Sequence, residues 1–246
     1  MRFAGRSALV TGAAGEIGSA VAMALSREGA TPTLLDQDAA ALDRVARETG
    51  GLAVPTDVTV EEQVAEAVTR AVDHGGELHL VFNNAGVEGP VGPIEELDLP
   101  ALERVLRVNV VGAAAVLKHT LPHLGPGGVV VQTGSTASLG GAEHMAPYIA
   151  SKHALLGLTR TAAKEAAARG IRVSAVLPGP VEGRMMERID SGRDTSGAAS
   201  PGVPAVLDGG RRARVDEVVA AVLFLMSDEA SFVTGHGLVV DGGRLA

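Results

Sequence analysis

Residues 11–18 read TGAAGEIG and separate two different hydrophobic patterns. Before them stands the apolar run Ala8 to Val10, and after them apolar residues recur at helical spacing, at Ile17, Val21, Ala24 and Leu25. Glycine permits a tight turn and a close approach of the backbone, and a helix N-terminus presents free N–H groups to a phosphate. The stretch therefore predicts a strand, a turn and a helix that could hold a phosphate, although a glycine turn used only for packing has the same pattern.

A carboxylate follows at the end of the next apolar run, Thr33 to Leu35. Asp36 lies eighteen residues after Gly18, where a carboxylate can accept hydrogen bonds from an adenosine ribose. The same charge would repel a 2′-phosphate, and the residue that follows it is Gln37 rather than a lysine or arginine. We therefore predict binding of NAD rather than NADP. An aspartate that only ends a strand or caps a helix is the alternative.

Short apolar runs alternate with amphipathic stretches along the whole chain. The predicted strands are Ala8–Val10, Thr33–Leu35, Leu52–Val54, Leu78–Phe82, Val129–Val131, Ile171–Leu177 and Leu238–Val240. The longer predicted helices cover residues 60–73, 100–121, 147–168 and 215–226. Strands that alternate with helices predict an α/β fold, a doubly wound parallel sheet of about seven strands. No linker divides the chain, so we expect a single domain over residues 1–246.

One segment, Glu182 to Arg214, departs from this alternation. It is rich in Gly, Ser, Pro and Arg, and its one helical pattern is short, from Met185 to Ile189. A long insertion in a compact domain is usually a functional lid or a disordered segment. We predict a substrate lid at about residues 182–214.

Composition excludes several classes of protein. The chain has 246 residues, a net charge of −8 and no cysteine, which excludes disulfide scaffolds, thiolate metal sites and cysteine nucleophiles. The negative charge and the 2% aromatic content argue against nucleic-acid binding. No metal site is predicted, because His119 and His123 are separated by Pro122 and lack a nearby acidic ligand. With no long apolar run and no signal-type segment, we expect no membrane association and a cytoplasmic location.

The one tyrosine of the chain stands four residues before a lysine. Tyr148 and Lys152 therefore share a helix face, with Cβ atoms about 5–6 Å apart. A nearby ammonium stabilises a phenolate, and an acid/base group works best when its pKa is near the working pH. The pair suits proton transfer to or from an alcohol or carbonyl oxygen. A lysine that only extends along an amphipathic helix is the alternative.

Two further polar residues stand at informative places. Asn109 follows the apolar positions Val105 and Leu106 at helical spacing, so its amide should be buried and hydrogen-bonded, in a structural or a relay role. Ser135 lies just beyond the carboxyl end of a predicted strand, where open α/β sheets bind ligands, although a turn serine is the commoner case. The sequence Gly134-Ser135-Thr136 lacks the second glycine of a hydrolase nucleophile elbow, so hydrolase chemistry is a weak rival.

Taken together, these residues resemble the short-chain dehydrogenase/reductase family over essentially the whole chain. The resemblance is carried by several motifs in family order: residues 11–18, Asp57, Asn83-Asn84-Ala85-Gly86, Asn109, Ser135, Tyr148 with Lys152, Pro178-Gly179 and Val240-Asp241-Gly242-Gly243. Ser135 precedes Tyr148 by thirteen residues, as in that family. The resemblance implies an NAD(H)-dependent oxidoreductase that interconverts a secondary alcohol and a ketone.

The resemblance also implies individual roles. Tyr148 would be the acid/base, Lys152 would bind the nicotinamide ribose and lower the tyrosine pKa, Ser135 would bind the substrate oxygen, and Asn109 would anchor a proton relay. Besides Tyr148 and Lys152, the predicted cofactor-binding residues are Gly12, Gly15, Glu16, Ile17, Gly18, Asp36, Gln37, Asp57, Val58, Asn84, Ala85, Gly86, Pro178, Gly179 and Val181. Besides Ser135 and Tyr148, we expect His144 and Met185 to contact the substrate.

Three residues depart from the family pattern. Glu16 stands where the family usually has glycine, Ser174 where it often has asparagine, and Gly183 where it often has threonine. The family threonine usually contacts the cofactor amide, so this contact is in question here. The resemblance further implies a homotetramer built from the two long helices and the C-terminal segment. The alternative to an enzyme is a dinucleotide-binding sensor or scaffold of the same fold, without turnover.

Overall fold

The seven predicted strands form one parallel sheet. The computed structural model describes residues 1–196 and 207–246 and orders the strands β3-β2-β1-β4-β5-β6-β7. Every neighbouring pair is parallel. The strands are β1 (Ser7–Thr11), β2 (Thr31–Asp36), β3 (Leu52–Pro55), β4 (Leu78–Asn83), β5 (Leu124–Thr133), β6 (Arg172–Pro178) and β7 (Gly237–Val240). The predicted doubly wound α/β fold is confirmed.

Helices cover both faces of the sheet. They are α1 (Glu16–Arg27), α2 (Ala39–Thr49), α3 (Glu61–Gly75), α4 (Leu99–Leu106), α5 (Ala113–Thr120), α6 (Ala146–Ala166), α7 (Arg184–Ser196) and α8 (Val215–Met226). Short 3₁₀ turns lie at Ile94–Glu96, Leu121–His123, Thr136–Ser138, Ala167–Arg169, Leu207–Gly210 and Asp228–Ala230. Within the described residues, no helix has the length and apolar character that a bilayer span needs.

Two apolar clusters hold these layers together. The first joins α1, α2 and α8 to one face of the sheet and contains Val10, Leu34 and Phe82. The second joins α3, α5 and α6 to the other face and contains Leu9, Leu35 and Val81. Because successive residues of a strand point to opposite faces, a strand buried on both sides must be apolar at nearly every position. The near-continuous apolar runs of the sequence are the consequence.

The predicted helix over residues 100–121 is interrupted. Residues Arg107–Gly112 form a π-helical turn between α4 and α5, and Asn109 lies in it, fully buried. This turn contains three valines and ends in glycine, residue types with below-average helix propensity. A π turn changes the direction of side chains relative to a continuous α-helix, and such turns occur frequently at functional sites.

The predicted lid segment contains a longer helix than expected. The short helical pattern from Met185 to Ile189 lies within α7, which runs from Arg184 to Ser196. In the first half of α7, Ile189 is buried, with 4% of its surface exposed, whereas Arg184, Glu187 and Arg188 are exposed. Residues 197–206 of the predicted lid lie outside the described residues. That the whole segment acts as a lid stays a prediction.

Candidate active site

A cleft of about 1130 Å³ opens at the carboxyl ends of the strands. The chain leaves β1 toward β2 on one side, while β4 lies on the other side of β1, so the strand order reverses at this point. Ligands of open α/β sheets bind in the crevice at such a reversal. All the predicted cofactor-binding residues line the cleft except Gly18, and so do Ser135, Tyr148, Lys152 and Met185.

The turn between β1 and α1 requires glycine at two positions. Gly12 has φ +63°, and a Cβ there would lie 2.9 Å from Asn84 Nδ2 and 3.0 Å from Ala85 Cα. A Cβ on Gly18 would lie 2.1 Å from the Gly12 carbonyl oxygen, which is a clash with the backbone. Gly18 is therefore needed for the shape of the turn, although it does not line the cleft. The first N–H groups of α1 have no partner within the helix, so the turn presents donors toward the cleft.

Hydrogen bonds fix the ends of β1 and β4 to each other. The Thr11 hydroxyl oxygen accepts from the backbone N–H groups of Asn84 (2.9 Å) and Ala85 (3.0 Å). Asn84 Nδ2 donates to the carbonyl oxygens of Thr11 (3.2 Å) and Gly12 (3.3 Å), and its Oδ1 accepts from Thr133 Oγ1 (3.0 Å). The polar residues after β4 thus hold the glycine turn rigidly and also line the cleft.

At the other end of the cleft, Asp36 has both carboxylate oxygens engaged. Ala14 N donates to its Oδ2 (3.0 Å) and Asp38 N to its Oδ1 (3.0 Å). Each carboxylate oxygen has a further lone pair, so the side chain can still accept from a ligand hydroxyl. Asp57 lies at the same end of the cleft, where its Oδ1 accepts from the backbone and hydroxyl of Thr59. The carboxylates of this region would disfavour an anionic substituent on a ligand.

Tyr148, Lys152 and Ser135 meet in the cleft at the start of α6. Lys152 Nζ lies 5.5 Å from the centroid of the Tyr148 ring and donates to the Thr133 carbonyl oxygen at 2.7 Å. Ser135 precedes the turn Thr136–Ser138, and its hydroxyl accepts from Ala137 N at 3.1 Å. The predicted neighbourhood of phenol and ammonium is therefore present, with a serine hydroxyl beside it.

Burial controls the proton affinities of this pair. Burial raises the pKa of Tyr148, a hydrogen bond with Ser135 lowers it, and the charge of Glu88 raises it further. Burial also lowers the pKa of Lys152 to about 8. The direction for Tyr148 is opposite to the lowering that the family resemblance implied, because burial is the largest contribution. Both shifts oppose the charged form of the group, as expected for ionisable groups removed from water.

Asn109 lies behind the cleft rather than in its wall. Its Oδ1 accepts from Val87 N (2.8 Å), and its Nδ2 donates to the Val87 carbonyl (2.8 Å) and to Ser151 Oγ (2.9 Å). The Ser151 hydroxyl in turn donates to the Tyr148 carbonyl oxygen at 2.8 Å. The amide therefore ties the segment after β4 to the first turn of α6. A relay function for Asn109 stays a prediction.

His144 is also absent from the cleft wall. It has φ +65°, an uncommon conformation for a residue with a side chain, and its carbonyl accepts from Gly92 N at 2.9 Å. Within the described residues its Nδ1 is buried without a hydrogen-bond partner. Met185, by contrast, lines the cleft from α7, together with Met186 and Ile189. The predicted substrate contact of His144 therefore has less geometric support than that of Met185.

Ion pairs between α7 and the body of the protein are part of the site that the sequence patterns did not indicate. Arg184 pairs with Glu16 of the glycine turn, Arg188 forms a two-pronged pair with Glu88 after β4, and Asp190 pairs with Arg212. All six residues except Glu88 line the cleft. Glu88 stands two residues after the run Asn84-Ala85-Gly86. This closeness to a motif of the site is the one feature of the sequence that could indicate its role.

Metal ligation finds no support in the part of the chain that the structure describes. No group of three or more His, Asp or Glu side chains there is arranged to hold an ion. His119 Nε2 instead donates a hydrogen bond at 3.0 Å to Glu61 Oε1, which also pairs with Lys118.

Comparison with known proteins identifies the family. A family model described as enoyl-(acyl carrier protein) reductase matches residues 12–244. Cis-4-hydroxycyclohexanecarboxylate dehydrogenase of Sinomonas cyclohexanicum is 39% identical over 250 residues, covering 99% of this chain and 98% of that protein. The chain belongs to the short-chain dehydrogenase/reductase family.

Solved structures of this short-chain dehydrogenase/reductase family match the fold closely. NAD⁺-bound xylitol dehydrogenase superposes with a TM-score of 0.91 at 35% identity, over 99% of this chain and 100% of that one. A short-chain dehydrogenase from Burkholderia cenocepacia J2315 in complex with NADP gives a TM-score of 0.89 at 30% identity, over 100% of both chains. The comparisons support an oxidoreductase of secondary alcohols in general, from a family in which either dinucleotide is bound.

Proposed function

We propose that this protein is an NAD(H)-dependent oxidoreductase that interconverts a secondary alcohol and a ketone. The observation that supports it most is the meeting of Tyr148, Lys152 and Ser135 in the cleft at the carboxyl ends of the strands. A sensor or scaffold that only binds a dinucleotide would not need a tyrosine with an ammonium and a serine hydroxyl beside it. The intact set therefore favours an enzyme over the non-catalytic alternative.

The cleft residues fit a dinucleotide. The glycine turn lets the backbone approach closely, and the N-terminus of α1 supplies free N–H donors for a pyrophosphate. Asp36 offers acceptor lone pairs at the distance along the chain expected for a ribose contact. When bound, the nicotinamide would accept the hydride from the alcohol or donate it to the ketone. Gln37, Asp57, Val58, Asn84, Ala85, Gly86, Pro178, Gly179 and Val181 would complete the cofactor site.

Proton transfer is the work of the chain's own residues. The Tyr148 hydroxyl would take the proton of the substrate alcohol in oxidation and return it to the carbonyl oxygen in reduction. Ser135 would hold the substrate oxygen, and its hydrogen bond with Tyr148 lowers the tyrosine pKa. Lys152 Nζ donates a hydrogen bond to the Thr133 carbonyl and lies close to the Tyr148 ring. When Lys152 is protonated, its charge would stabilise the Tyr148 phenolate.

The preference for NAD rests on Asp36. A 2′-phosphate beside this carboxylate would bring two negative charges together, and the adjacent Gln37 and Asp38 supply no cation. The arginines that line the cleft lie in the α7 segment and after residue 210, away from β2 in the sequence. Similar proteins bind NAD⁺ in one structure and NADP in another, so the fold alone does not determine which dinucleotide is bound. In this chain we assign the preference to the Asp36 side chain.

Apolar side chains support a substrate with a hydrocarbon body. Met145, Ile149, Met185, Met186 and Ile189 line the cleft. They would exclude water from the reacting atoms and pack against rings or chains, and methionine adapts to irregular shapes. A similar protein is named for a hydroxylated cyclohexane, so cyclic secondary alcohols, with and without a carboxylate, are the first compounds to test.

A homotetramer is proposed for the assembly. Large apolar side chains are exposed on the α4–α5 region and near the C-terminus: Leu99, Val111, Phe232 and Leu245. Burial of these side chains against another copy of the chain would remove their apolar surface from water, which is favourable. Light scattering of the purified chain should give four times the monomer mass, and a monomer mass would contradict the proposal.

The function is tested by following reduced nicotinamide in absorbance with a panel of alcohols and NAD. Wild-type protein should turn over at least one secondary alcohol. Tyr148→Phe should lower kcat by about 100-fold or more, because general acid–base catalysis contributes that much, while the dissociation constant for NAD stays within about twofold. Tight NAD binding by wild type with no turnover of any alcohol would instead support the sensor or scaffold.

A further inference from the structure

The side chain of Glu16 connects two distant parts of the cleft. Glu16 is the first residue of α1, and Arg184 is the first residue of α7. The Glu16 Oε1 atom accepts a hydrogen bond from the backbone N–H of Arg184 at 3.1 Å. The Arg184 side chain adds an ion pair, with Nε 3.5 Å from the same oxygen. A carboxylate near the N-terminus of a helix stabilises it, and an acceptor for a free N–H group there acts as a cap. Here the cap comes from another helix.

Gly183 makes room for this contact. It has φ +133°, and a Cβ on it would lie 2.0 Å from Glu16 Oε2 and 2.6 Å from Glu16 Cδ. The carboxylate therefore occupies the space that any side chain at residue 183 would need. Gly183 also accepts from Glu187 N at 3.2 Å, which places it at the start of α7. Glu16 and Gly183 thus form a matched pair, in which the glycine is required both by its own backbone conformation and by the glutamate.

We propose that Glu16 is a positioning residue that fixes the first turn of α7 to the glycine turn, and so sets the wall that α7 gives to the substrate region. Met185 and Met186 follow directly on the anchored Arg184 and line the cleft. Loss of the anchor would therefore loosen the apolar wall. The proposal rests on the proposed function only in assigning an alcohol and a dinucleotide to the cleft; the anchor itself belongs to the free protein.

The charge of Glu16 gives the proposal a second consequence. Glu16 lies in the first turn of α1, beside the N–H groups that would bind a pyrophosphate. A carboxylate there repels a bound phosphate, and Arg184 offsets only part of this charge. The cofactor contact expected of residue 16 is its backbone N–H at the start of α1, which Glu16→Ala keeps. Removing the carboxylate should therefore weaken the hold on α7 without weakening dinucleotide binding. A residue that only stabilised the fold would not separate these two effects.

The test compares Glu16→Ala with Glu187→Ala in the full chain. Glu187 is an exposed acidic residue in the first turn of α7 without an ion pair among the described residues, so its removal takes a favourable charge from the same helix end but leaves the cap on Arg184 N in place. Hydrogen exchange without any dinucleotide should become about fivefold faster at the first amides of α7 in Glu16→Ala and stay within about twofold in Glu187→Ala, because a lost cap changes local opening by this order. Unchanged exchange in Glu16→Ala would overturn the proposal.

Kinetics give the second readout. In Glu16→Ala, KM for the alcohol should rise about fivefold, kcat should stay within about twofold, and the dissociation constant for NAD should be unchanged or lower. Weaker NAD binding together with a lower kcat would contradict a positioning role. If wild type itself bound no dinucleotide, the proposed function would fail, while the exchange experiment on the free protein would still decide the anchor.

A variant on the other side of the contact checks the pair. Gly183→Ala places a Cβ where the Glu16 carboxylate lies, and because the carboxylate ends a flexible side chain it would swing away. The exchange of the first α7 amides should then increase as in Glu16→Ala. Since both changes break one contact, the double variant should exchange no faster than the faster single variant, within about twofold. If the increase in exchange rate of the double variant equalled the product of the two single increases, the two residues would act separately.

Discussion

The Lys152 ammonium lies 5.5 Å from the centre of the Tyr148 ring and donates a 2.7 Å hydrogen bond to the Thr133 carbonyl. The contact places a cation beside the one tyrosine of the chain, in a site where burial acts against both charged forms. A phenolate next to an ammonium would relieve both penalties together. The charged form of each group would therefore stabilise the charged form of the other.

Burial of Lys152 makes stability depend on pH. The folded protein releases the Lys152 proton near pH 8, whereas the unfolded chain holds it to about pH 10.5, so the unfolded state binds more protons between these values. The free energy of unfolding should therefore rise from pH 8 to pH 10, by up to about 2 kcal/mol from this group. Urea unfolding of wild type and Lys152→Met measures it. The variant should lack that part of the rise, and equal slopes would contradict the lowered pKa.

The charge of Glu88 should be visible in the titration of Tyr148. Glu88 raises the pKa of the phenol, and Arg188 forms a two-pronged ion pair with Glu88. Glu88→Gln should therefore shift the phenolate absorbance titration to lower pH, and Arg188→Gln should shift it to higher pH by exposing the carboxylate charge. Tyr148 is the one tyrosine and tryptophan is absent, so the signal has a single source. Shifts of the same sign in both variants would refute the assignment.

Cofactor choice should change when Asp36 loses its charge. Asp36→Asn keeps one acceptor oxygen, so it can retain one of the two contacts with Ala14 N and Asp38 N, and it removes the repulsion of a 2′-phosphate. The ratio of kcat/KM with NAD to that with NADP should fall by about tenfold to 100-fold. Asp38→Asn is the matched control, because Asp38 caps α2 through Ala41 N, and its ratio should change less. Equal ratios in wild type and Asp36→Asn would show that another residue sets the preference.

The glycine turn should not accept a methyl group at Gly18. A Cβ there would lie 2.1 Å from the Gly12 carbonyl oxygen, so Gly18→Ala must move the backbone of the turn. We expect a loss of about 1–3 kcal/mol in the free energy of unfolding, with weaker NAD binding, as for other overpacked sites. Gly92→Ala places its Cβ in open space and should stay within about 0.5 kcal/mol of wild type. Thermal unfolding and NAD titration of both variants compare them directly.

Much of the fold could be predicted because its signals are local. Each strand is a short apolar run, and polar residues that end a strand or directly follow one, such as Asp36 and Asn84, line the cleft. Tyr148 and Lys152 could be paired because four residues along a helix make one turn. Family resemblance added expected roles for Ser135 and for the cofactor residues, and all of these residues except Gly18 line the cleft.

What could not be predicted depends on contacts across the chain. Glu16 and Arg184 are 168 residues apart, and Glu88 and Arg188 are 100 apart, so no spacing in the sequence connects them. Glu16 and Gly183 are separate departures from the family pattern in the sequence, and only their contact in space joins them. The sequence does not indicate the π turn at Asn109 for another reason. Its residues keep the hydrophobic pattern of an α-helix, while the backbone hydrogen bonding changes.

Charged contacts attach α7 to the rest of the molecule, since Arg184, Arg188 and Asp190 each pair with a residue outside the helix. Counterions screen such pairs, over about 10 Å at moderate ionic strength and over shorter distances as salt is added. The two apolar clusters on the faces of the sheet are not held by charge and are not weakened by this screening. Salt concentration should therefore loosen α7 more than the sheet and its apolar layers, and the hold of the enzyme on its alcohol should vary with the ionic composition of its surroundings.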